Sequence, residues 1–325
     1  MPQPTISNVH VDAILTNISV AYMQKAENMI ADKVFPVVPV DKKSNKYFKY
    51  DKNDWFRDEA QRRAPGTESA GGGYNLSTDT YSADVFAFHK DVDDQTLANA
   101  DTPLNPLREA SEFVTSRLLL RREVQFIADF MTTSVWGTDV AGVAASPSSG
   151  QFIQWNEYTT SDPIENIEAA KEKILSTTGF EGNTLVLGYQ VFRQLKNHPD
   201  VIDRYKYTTS SVVTEEMLAR LFGVDRILIA KSVRATNAEG LTGAYAFNFG
   251  KAACLLHVAT SPGLMTPSAG YIFAWTGVSG GLGSTIGTSQ FRMESLKAAR
   301  IEAEVAFDNK VVATDLGYFF ATAVA

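Results

Sequence analysis

Residues 57–76 read RDEAQRRAPGTESAGGGYNL. The stretch begins charged, turns small, and becomes glycine-rich before its end. The sequence on either side has a different character. NKYFKYDK (residues 45–52) and YSADVFAFHK (residues 81–90) are rich in aromatic and β-branched residues, the composition of strands. Between them, Ala64-Pro65-Gly66 and Gly71-Gly72-Gly73 break regular structure. The pattern predicts an extended two-stranded arm with a polar tip. At ~3.3 Å per residue, half of the excursion reaches roughly 60–75 Å when extended. A lone ribbon of this kind is only marginally stable, so the arm must dock on its own body or on a neighbour.

Upstream, Ile14, Ile18, Tyr22, Ala26 and Ile30 recur every four residues, one stripe of a helix. Phe35-Pro36-Val37-Val38-Pro39-Val40 must run extended, because each proline biases its predecessor away from helix. These residues are expected to form an arm rather than core.

Downstream lies the plainest helix signal of the chain. Asn105 is placed to cap, Pro106 suits the first helical position and Glu109 favours the positive end. Phe113, Val114, Leu118, Val124, Ile127 and Met131 return to one side, while Arg117, Arg121 and Arg122 are expected on a charged outer face. Such a helix over residues 106–131 is ~39 Å long. SPSSGQF (residues 146–152) then marks a boundary. Asp162-Pro163-Ile164-Glu165 reads as a capping box, with Gly179 as the stop. NTLVLG (183–188) and RILIAKSV (226–233) read as strands; YQVFRQLKNHP (189–199) and TEEMLARLFG (214–223) read as helices. Alternation of this kind indicates a mixed α/β region. Beyond Phe291 come further strands, with turns expected at Asp308-Asn309 and Asp315-Leu316-Gly317.

The chain has 325 residues, a formal charge of −7 and a pI near 5.2. Its 44% hydrophobic and 21% charged residues are ordinary for a globular protein. The acidic balance argues against a direct nucleic-acid coat, and Arg62 with Arg63 is the nearest approach to a basic patch. The single cysteine, Cys254, excludes an internal disulfide and a four-cysteine zinc site; its setting in KAACLLHVA predicts a buried, inert thiol. Residues 1–30 show no basic start followed by an apolar core, and no apolar run approaches the ~20 residues that span a bilayer. A cytosolic, soluble, reduced protein is expected.

Chemical motifs do not survive scrutiny. Gly277-Val278-Ser279-Gly280-Gly281 fits G-x-S-x-G, but a nucleophile elbow needs a helix next and an acid and histidine downstream. The last histidine, His257, precedes Ser279, so a glycine-rich loop is the better reading and a serine hydrolase only a minor alternative. Gly281-Leu282-Gly283 meets Ile286 where a third glycine belongs, and Gly250-Lys251 is followed by Ala252 where a phosphate loop needs Ser or Thr. His10, His89, His198 and His257 are scattered. Asp91, Asp93 and Asp94 lack the glycine and closing glutamate of a calcium loop and read as a solvated acidic turn. No catalytic, cofactor or metal residue is expected.

Five segments carry a family resemblance: VFPVVPVDKKSNKYFKYDKNDWFRDEA (34–60), ANADTPLNPLREASEFVTSRLLLRREVQFI (98–127), NTLVLGYQVFRQLKNHPDVIDRYKYT (183–208), LARLFGVDRILIAKSV (218–233) and DNKVVATDLGYFF (308–320). In this order the chain resembles the major capsid proteins of tailed bacteriophages, whose fold was first described for phage Hong Kong 97. The resemblance implies an α+β fold with an N-terminal arm (1–44) and an extended hairpin loop (45–92). A peripheral domain (93–160 and 290–315) would carry a long spine helix, and an axial domain (161–289 and 316–325) would pack around five-fold and six-fold centres. It further implies a homo-oligomer of hexamers and pentamers closing an icosahedral head around double-stranded DNA held without sequence specificity. The location implied is the virion, after synthesis in the host bacterial cytoplasm, with no membrane and no cofactor. A portal and a decoration protein are implied partners. A separate scaffolding protein is implied too, because little sequence precedes the hairpin where some relatives carry a long scaffolding segment. Some relatives weld subunits through a lysine near the loop tip; residues 54–73 hold none, Lys49 and Lys52 sit on the shoulder and Asn309 is a nominal partner, so cross-linking is not expected. The tip charges Arg57, Asp58, Glu59, Arg62, Arg63 and Glu68, with Arg117, Arg121 and Arg122 of the helix, are the expected inter-subunit contacts. An encapsulin-type compartment, which shares the fold, is the alternative.

Overall fold

The computed structural model describes residues 24–100, 104–205, 213–263, 265–278 and 286–325. In chain order the first elements are Ala31–Val34 (α1), Val37–Val40 (β1), Ser44–Tyr50 (β2), Lys52–Trp55 (α2), Leu76–Ser82 (β3), Asp84–Asp93 (β4), Asp94–Ala98 (α3) and Pro106–Phe130 (α4). Next come Thr138–Val143 (β5), Gln151–Ile153 (β6), Pro163–Thr178 (α5), Thr184–Gly188 (β7), Tyr189–Leu195 (α6), Pro199–Tyr205 (α7), Glu215–Leu221 (α8), Arg226–Ala230 (β8), Val233–Ala235 (β9), Tyr245–Phe247 (β10) and Ala253–Leu256 (β11). Gly270–Trp275 (β12), Gly287–Met293 (β13), Ala298–Val311 (β14) and Gly317–Ala321 (β15) complete the order.

Local sequence chemistry sets the main helices. Asn105 Oδ1 accepts from the Arg108 amide at 3.2 Å and Pro106 opens α4, as the sequence predicts. Asp162 Oδ1 accepts from the Glu165 amide at 3.0 Å to open α5. Gly179 closes α5 at φ 74°, the left-handed conformation that glycine adopts without strain.

Two large sheets are built on this frame, beside the two-stranded pairs β2–β3 and β9–β10. The six-stranded sheet runs β6-β5-β15-β11-β7-β8, and every residue of β7 is buried, as befits a central strand covered on both faces. The second sheet is organised by β14. One edge of β14 pairs with β4 from Ala298 to Phe307 and then with β12 from Phe307 to Val311; the other edge takes β13. α4 lies against this sheet with Val114, Leu118, Phe126 and Phe130 buried.

Several expectations change. The turn expected at Asp308-Asn309 is continuous strand within β14. Both side chains serve tertiary bonds instead: Asp308 Oδ2 accepts from the Ser82 amide at 2.8 Å, and Asn309 Nδ2 donates to Asp129 at 2.8 Å. The second predicted arm strand divides at Ala83. Residues before it return along the arm, and those after it enter the β14 sheet. Asp91, Asp93 and Asp94 are not a solvated turn. Asp91 grips Arg300 through two bonds of 2.6 and 2.8 Å, Asp93 caps α3 by accepting from the Thr96 amide at 2.6 Å, and Asp94 grips Arg292.

Residues 30–40 are core rather than a free arm. Ile30, Val34 and Phe35 are buried, and β1 pairs in parallel with β12. The Phe35 ring lies 4.6 Å from that of Phe130 and 6.0 Å from that of Phe126. Arg122 is likewise corrected. It is 3% exposed, ion-paired with Asp32 and 5.8 Å from the Phe307 ring. One residue is ~100° of helix rotation, so the step from Arg121 to Arg122 turns the side chain from solvent into the sheet. Phe113, expected inward, sits 37% exposed on the rim. Of the N-terminal helical stripe, Ile14, Ile18 and Tyr22 lie outside the described residues.

Candidate assembly surface

The arm begins from a fixed root. β2 and β3 pair antiparallel from Ser44↔Ser82 to Tyr50↔Leu76, which satisfies their backbone groups within the ribbon. Tyr81 stacks on Phe273 at 4.6 Å and 10°, and Tyr47 stacks on the same ring at 5.4 Å. The Trp275 indole donates to Asp41 O at 3.1 Å, and the Ala83 amide donates to Lys43 O at 2.8 Å. Burial and the neighbouring Asp79 carboxylate both push the Tyr47 phenol up. The Thr80 amide holds the Asp79 carboxyl below its usual range, with the Tyr47 hydroxyl assisting.

Beyond the ribbon the arm forms an aromatic shoulder. Asp51 accepts from the Asn53 amide at 3.0 Å and opens α2. α2 presents Trp55 to Tyr74 at 5.6 Å and to Tyr50 at 6.3 Å, while Tyr50 and Tyr74 meet at 6.1 Å. Asp54 Oδ2 also accepts from the Asn75 amide at 2.8 Å. The polar tip is thus closed at its base by three rings and a hydrogen bond. These side chains remain open to solvent: Trp55 is 53% exposed, Tyr74 58% and the adjacent Phe56 60%, with Phe48 and Leu76 exposed beside them. The shoulder meets its own body only lightly, through a Lys52–Asp315 ion pair and Phe56 against Gly179.

All six predicted tip charges are exposed. Arg57 reaches Asp54 at 3.9 Å and Glu59 at 3.7 Å, so part of the tip charge is neutralised internally. Arg63 Nε donates to Thr67 O across the Ala64–Thr67 turn, where Gly66 has φ 80°. Asp58, Arg62 and Glu68 have no ion-pair partner among the described residues. The sequence reading singled out charges and passed over the shoulder aromatics. Their signal was present: Tyr50, Trp55 and Phe56 precede the polar tip, and Tyr74 and Leu76 follow it.

On α4 the three predicted arginines divide. Arg117 and Arg121 stay outside, over the rings of Phe113 at 5.0 Å and Phe86 at 5.1 Å. Arg122 and Glu123 turn inward and clamp the N-terminal segment. Glu123, with no exposure, accepts from the Ile30 and Ala31 amides at 3.0 and 2.9 Å and from Ser232 Oγ at 3.0 Å. It thereby satisfies the otherwise orphaned first amides of α1. Burial nonetheless pushes the Glu123 carboxyl up, against the pull of those bonds. Arg226 holds the same segment from the other side, donating to Val34 O at 2.9 Å across an open cleft of about 430 Å³.

One arrangement imitates a catalytic triad. Ser161 Oγ lies 3.0 Å from His198 Nε2, and Asp200 Oδ2 lies 3.5 Å from His198 Nδ1. The bonding assigns the roles. His198 Nδ1 accepts from the Asp200 amide at 3.3 Å, so the ring proton is on Nε2 and points at Ser161, whose hydroxyl donates to Glu157 O at 2.9 Å. A histidine donating to the serine cannot take its proton, and both groups are buried. The cluster caps the entry to α7. Ser279 lies outside the described residues. Among the described residues, no group of His, Cys, Asp or Glu is arranged to hold a metal ion, and no helix is long and apolar enough to cross a membrane. Cys254 is buried on β11, and burial pushes its thiol well up.

Residues 153–234, from β6 to β9, match the family model described as phage major capsid protein E. The major capsid protein of Pseudomonas phage JBD67 is 26% identical over 321 residues, covering 97% of each chain. That of Burkholderia phage BcepMu is 26% identical over 246 residues, covering 73% of this chain and 74% of the relative. Among solved structures, a phage-related protein from Bordetella bronchiseptica superposes with TM-score 0.67 at 22% identity, covering 92% of this chain and 94% of that one. The SrpI encapsulin of Synechococcus elongatus gives 0.58 at 12% identity, covering 96% and 95%. The α+β fold of the Hong Kong 97-type capsid proteins is therefore the fold of this chain.

Proposed function

We infer that this chain is the major capsid protein of a bacteriophage, the repeated subunit of its head shell. The end-to-end likeness to the JBD67 protein, over 97% of both chains, carries the inference. An encapsulin shares the fold, so fold alone does not choose between shells; the likeness in sequence to two phage capsid proteins favours the viral one.

Residues 45–92 act as the extended loop, residues 93–160 and 290–315 as the peripheral domain, and residues 161–289 and 316–325 as the axial domain, with residues 1–44 as an N-terminal segment whose residues 30–40 pack into the body. The subunits assemble as hexamers and pentamers around double-stranded DNA, with a separate scaffolding protein and a portal, inside a host bacterium. The role is structural, not enzymatic. Trp55, Phe56 and Tyr74 supply the anchoring contact with a neighbouring subunit, because an exposed aromatic cluster is what interface centres bury. Arg57, Asp58, Glu59, Arg62, Arg63 and Glu68 form its rim. Each exposed ion pair is worth only ~0–1 kcal/mol, so rim contacts remain reversible while a shell corrects its errors.

Sedimentation velocity with electron microscopy of the same fractions tests the reading. Closed particles, or rings of five and six subunits, are expected with or without a scaffold from the same genome. A subunit that stays monomeric in both conditions overturns it. Deleting residues 58–71 is expected to leave a folded subunit that does not close shells.

A further inference from the structure

One surface stands apart from both arms. β4 directs Phe86, Phe88 and Lys90 to one face, by strand alternation, and α4 lies against it. Lys90 Nζ stands 5.4 Å from the centre of the Phe113 ring, Arg117 Cζ stands 5.0 Å from it, and Arg121 Cζ stands 5.1 Å from the Phe86 ring. Phe88 supports Phe113 from below at 6.0 Å. Three cations are therefore fixed along one seam by aromatic faces rather than by acids. No carboxylate lies within ion-pair distance of Lys90, Arg117 or Arg121 among the described residues. Between Phe113 and Ala128 the one carboxylate on α4 is Glu123, which is turned inward. The acids that flank this stretch of helix are engaged elsewhere: Glu112 pairs with Arg108 at 2.9 Å, and Asp129 is reached only through the Gln125 amide and also holds Asn309. On a chain of net charge −7, an acid-free basic seam is an exception.

We propose that the seam formed by Lys90, Arg117 and Arg121 is a sequence-independent foothold for the phosphate backbone of double-stranded DNA. The proposal rests on the shell reading, which puts DNA against one face of the subunit, and it reassigns Arg117 and Arg121 from neighbour contact to genome contact. Guanidinium groups lying on aromatic rings keep N–H edges open to phosphate oxygens, although Arg121 already gives one Nη2 proton to Gln125 at 2.8 Å. Arg117 and Arg121 are one helical turn apart, so the charges form a line rather than a pocket. A line of charges spaced along a helix suits a regular polyanion. Three contacts give weak, salt-sensitive attachment, with a slope of log affinity against log salt near −2.7. That strength lets DNA be guided along the wall and still move.

The test measures anisotropy of a short fluorescent duplex titrated with the full-length subunit, from low to physiological salt. The parent is expected to show a slope between about −2 and −3, and K90Q/R117Q/R121Q to lose most of it, with at least tenfold weaker binding at low salt. R117K, which keeps the charge, is expected to retain binding and controls for folding. Equal binding by parent and triple variant, or no binding by the parent at low salt, overturns the proposal. Equal or tighter binding of polyglutamate overturns it too, because the seam then serves an acidic protein. Shell formation by the same variants is scored separately by electron microscopy. A parent that forms shells but binds no DNA sinks the foothold alone, whereas a parent that binds DNA but forms no shells sinks the shell reading; the triple variant is expected to form shells without binding.

Discussion

Residues 29–40 and the ribbon of β2 and β3 are both rich in β-branched or aromatic side chains and both read as arm, yet one is swallowed by the body and the other left outside it. The difference lies in where their backbone groups find partners. The ribbon pairs with itself, so it needs the body only at its root, where Tyr81 and Phe273 stack. The N-terminal segment has no return strand. Its amides and carbonyls go to Glu123, Arg226, β12 and the Asn28–Lys231 backbone bond, and each partner draws the segment inward. An extended stretch becomes a free arm when it completes its own ladder, and becomes core when other elements complete it.

Removing a partner from the swallowed segment is the strongest way to break this contrast. Glu123→Ala leaves two amides and the Ser232 hydroxyl unsatisfied in a dry site, beside the Arg122 charge. A loss of ~3 kcal/mol or more is expected, read as a fall in urea midpoint at unchanged slope. Phe35→Ala removes a ring packed against Phe126, Phe130 and Trp136 and is expected to cost ~3–5 kcal/mol. The equivalent change on the arm's shoulder, Trp55→Ala with Tyr74→Ala, is expected to move subunit stability by no more than ~1 kcal/mol, because more than half of each side chain is already open to solvent. Shell yield, counted by electron microscopy, is expected to collapse in that double variant. Normal shells would make the shoulder a passive surface and erase its side of the contrast.

The residues legible in the sequence were those whose meaning is local. Asn105-Pro106 and Asp162-Pro163 cap helices through atoms three residues away, and Gly179 stops one with its own backbone. The resemblance to shell proteins was legible for a related reason: it rests on the order of such local units. Long-range pairing was not legible. Asp308-Asn309 has turn composition, but its side chains are claimed by Ser82 and Asp129, elements far away in the chain. The division of a strand at Ala83 depends on β14 offering an edge, which no local pattern announces. Arg121 and Arg122 are neighbours of identical type; only the partner waiting on each side of the helix separates a surface cation from a buried one. The aromatic shoulder was visible as letters, but its closure by Trp55 and Tyr74 across the tip required the fold.

Acid should divide the same two regions by a smaller effect of opposite sign. In the ribbon, the Thr80 amide and Tyr47 hydroxyl favour the Asp79 carboxylate, so its folded pKa lies below the ordinary 3.8. The unfolded chain then binds the proton more readily, and the contribution of Asp79 is lost as pH falls through 3.8 and below. Glu123 is displaced the other way, its folded pKa raised from 4.5 chiefly by burial. Above 4.5 the folded chain is the better proton acceptor, so this group makes stability rise as pH falls toward that value. The two windows do not overlap, and urea midpoints taken across them separate the groups. Asp79→Asn is expected to flatten the profile only below about pH 4, and Glu123→Gln only above it. Burial raises Glu123 and hydrogen bonding lowers Asp79, so the two slopes report directly which segment is inside. A Glu123→Gln profile parallel to that of the parent between pH 4.5 and 7 would mean that water reaches the clamp, and the N-terminal segment would then belong with the ribbon as an arm.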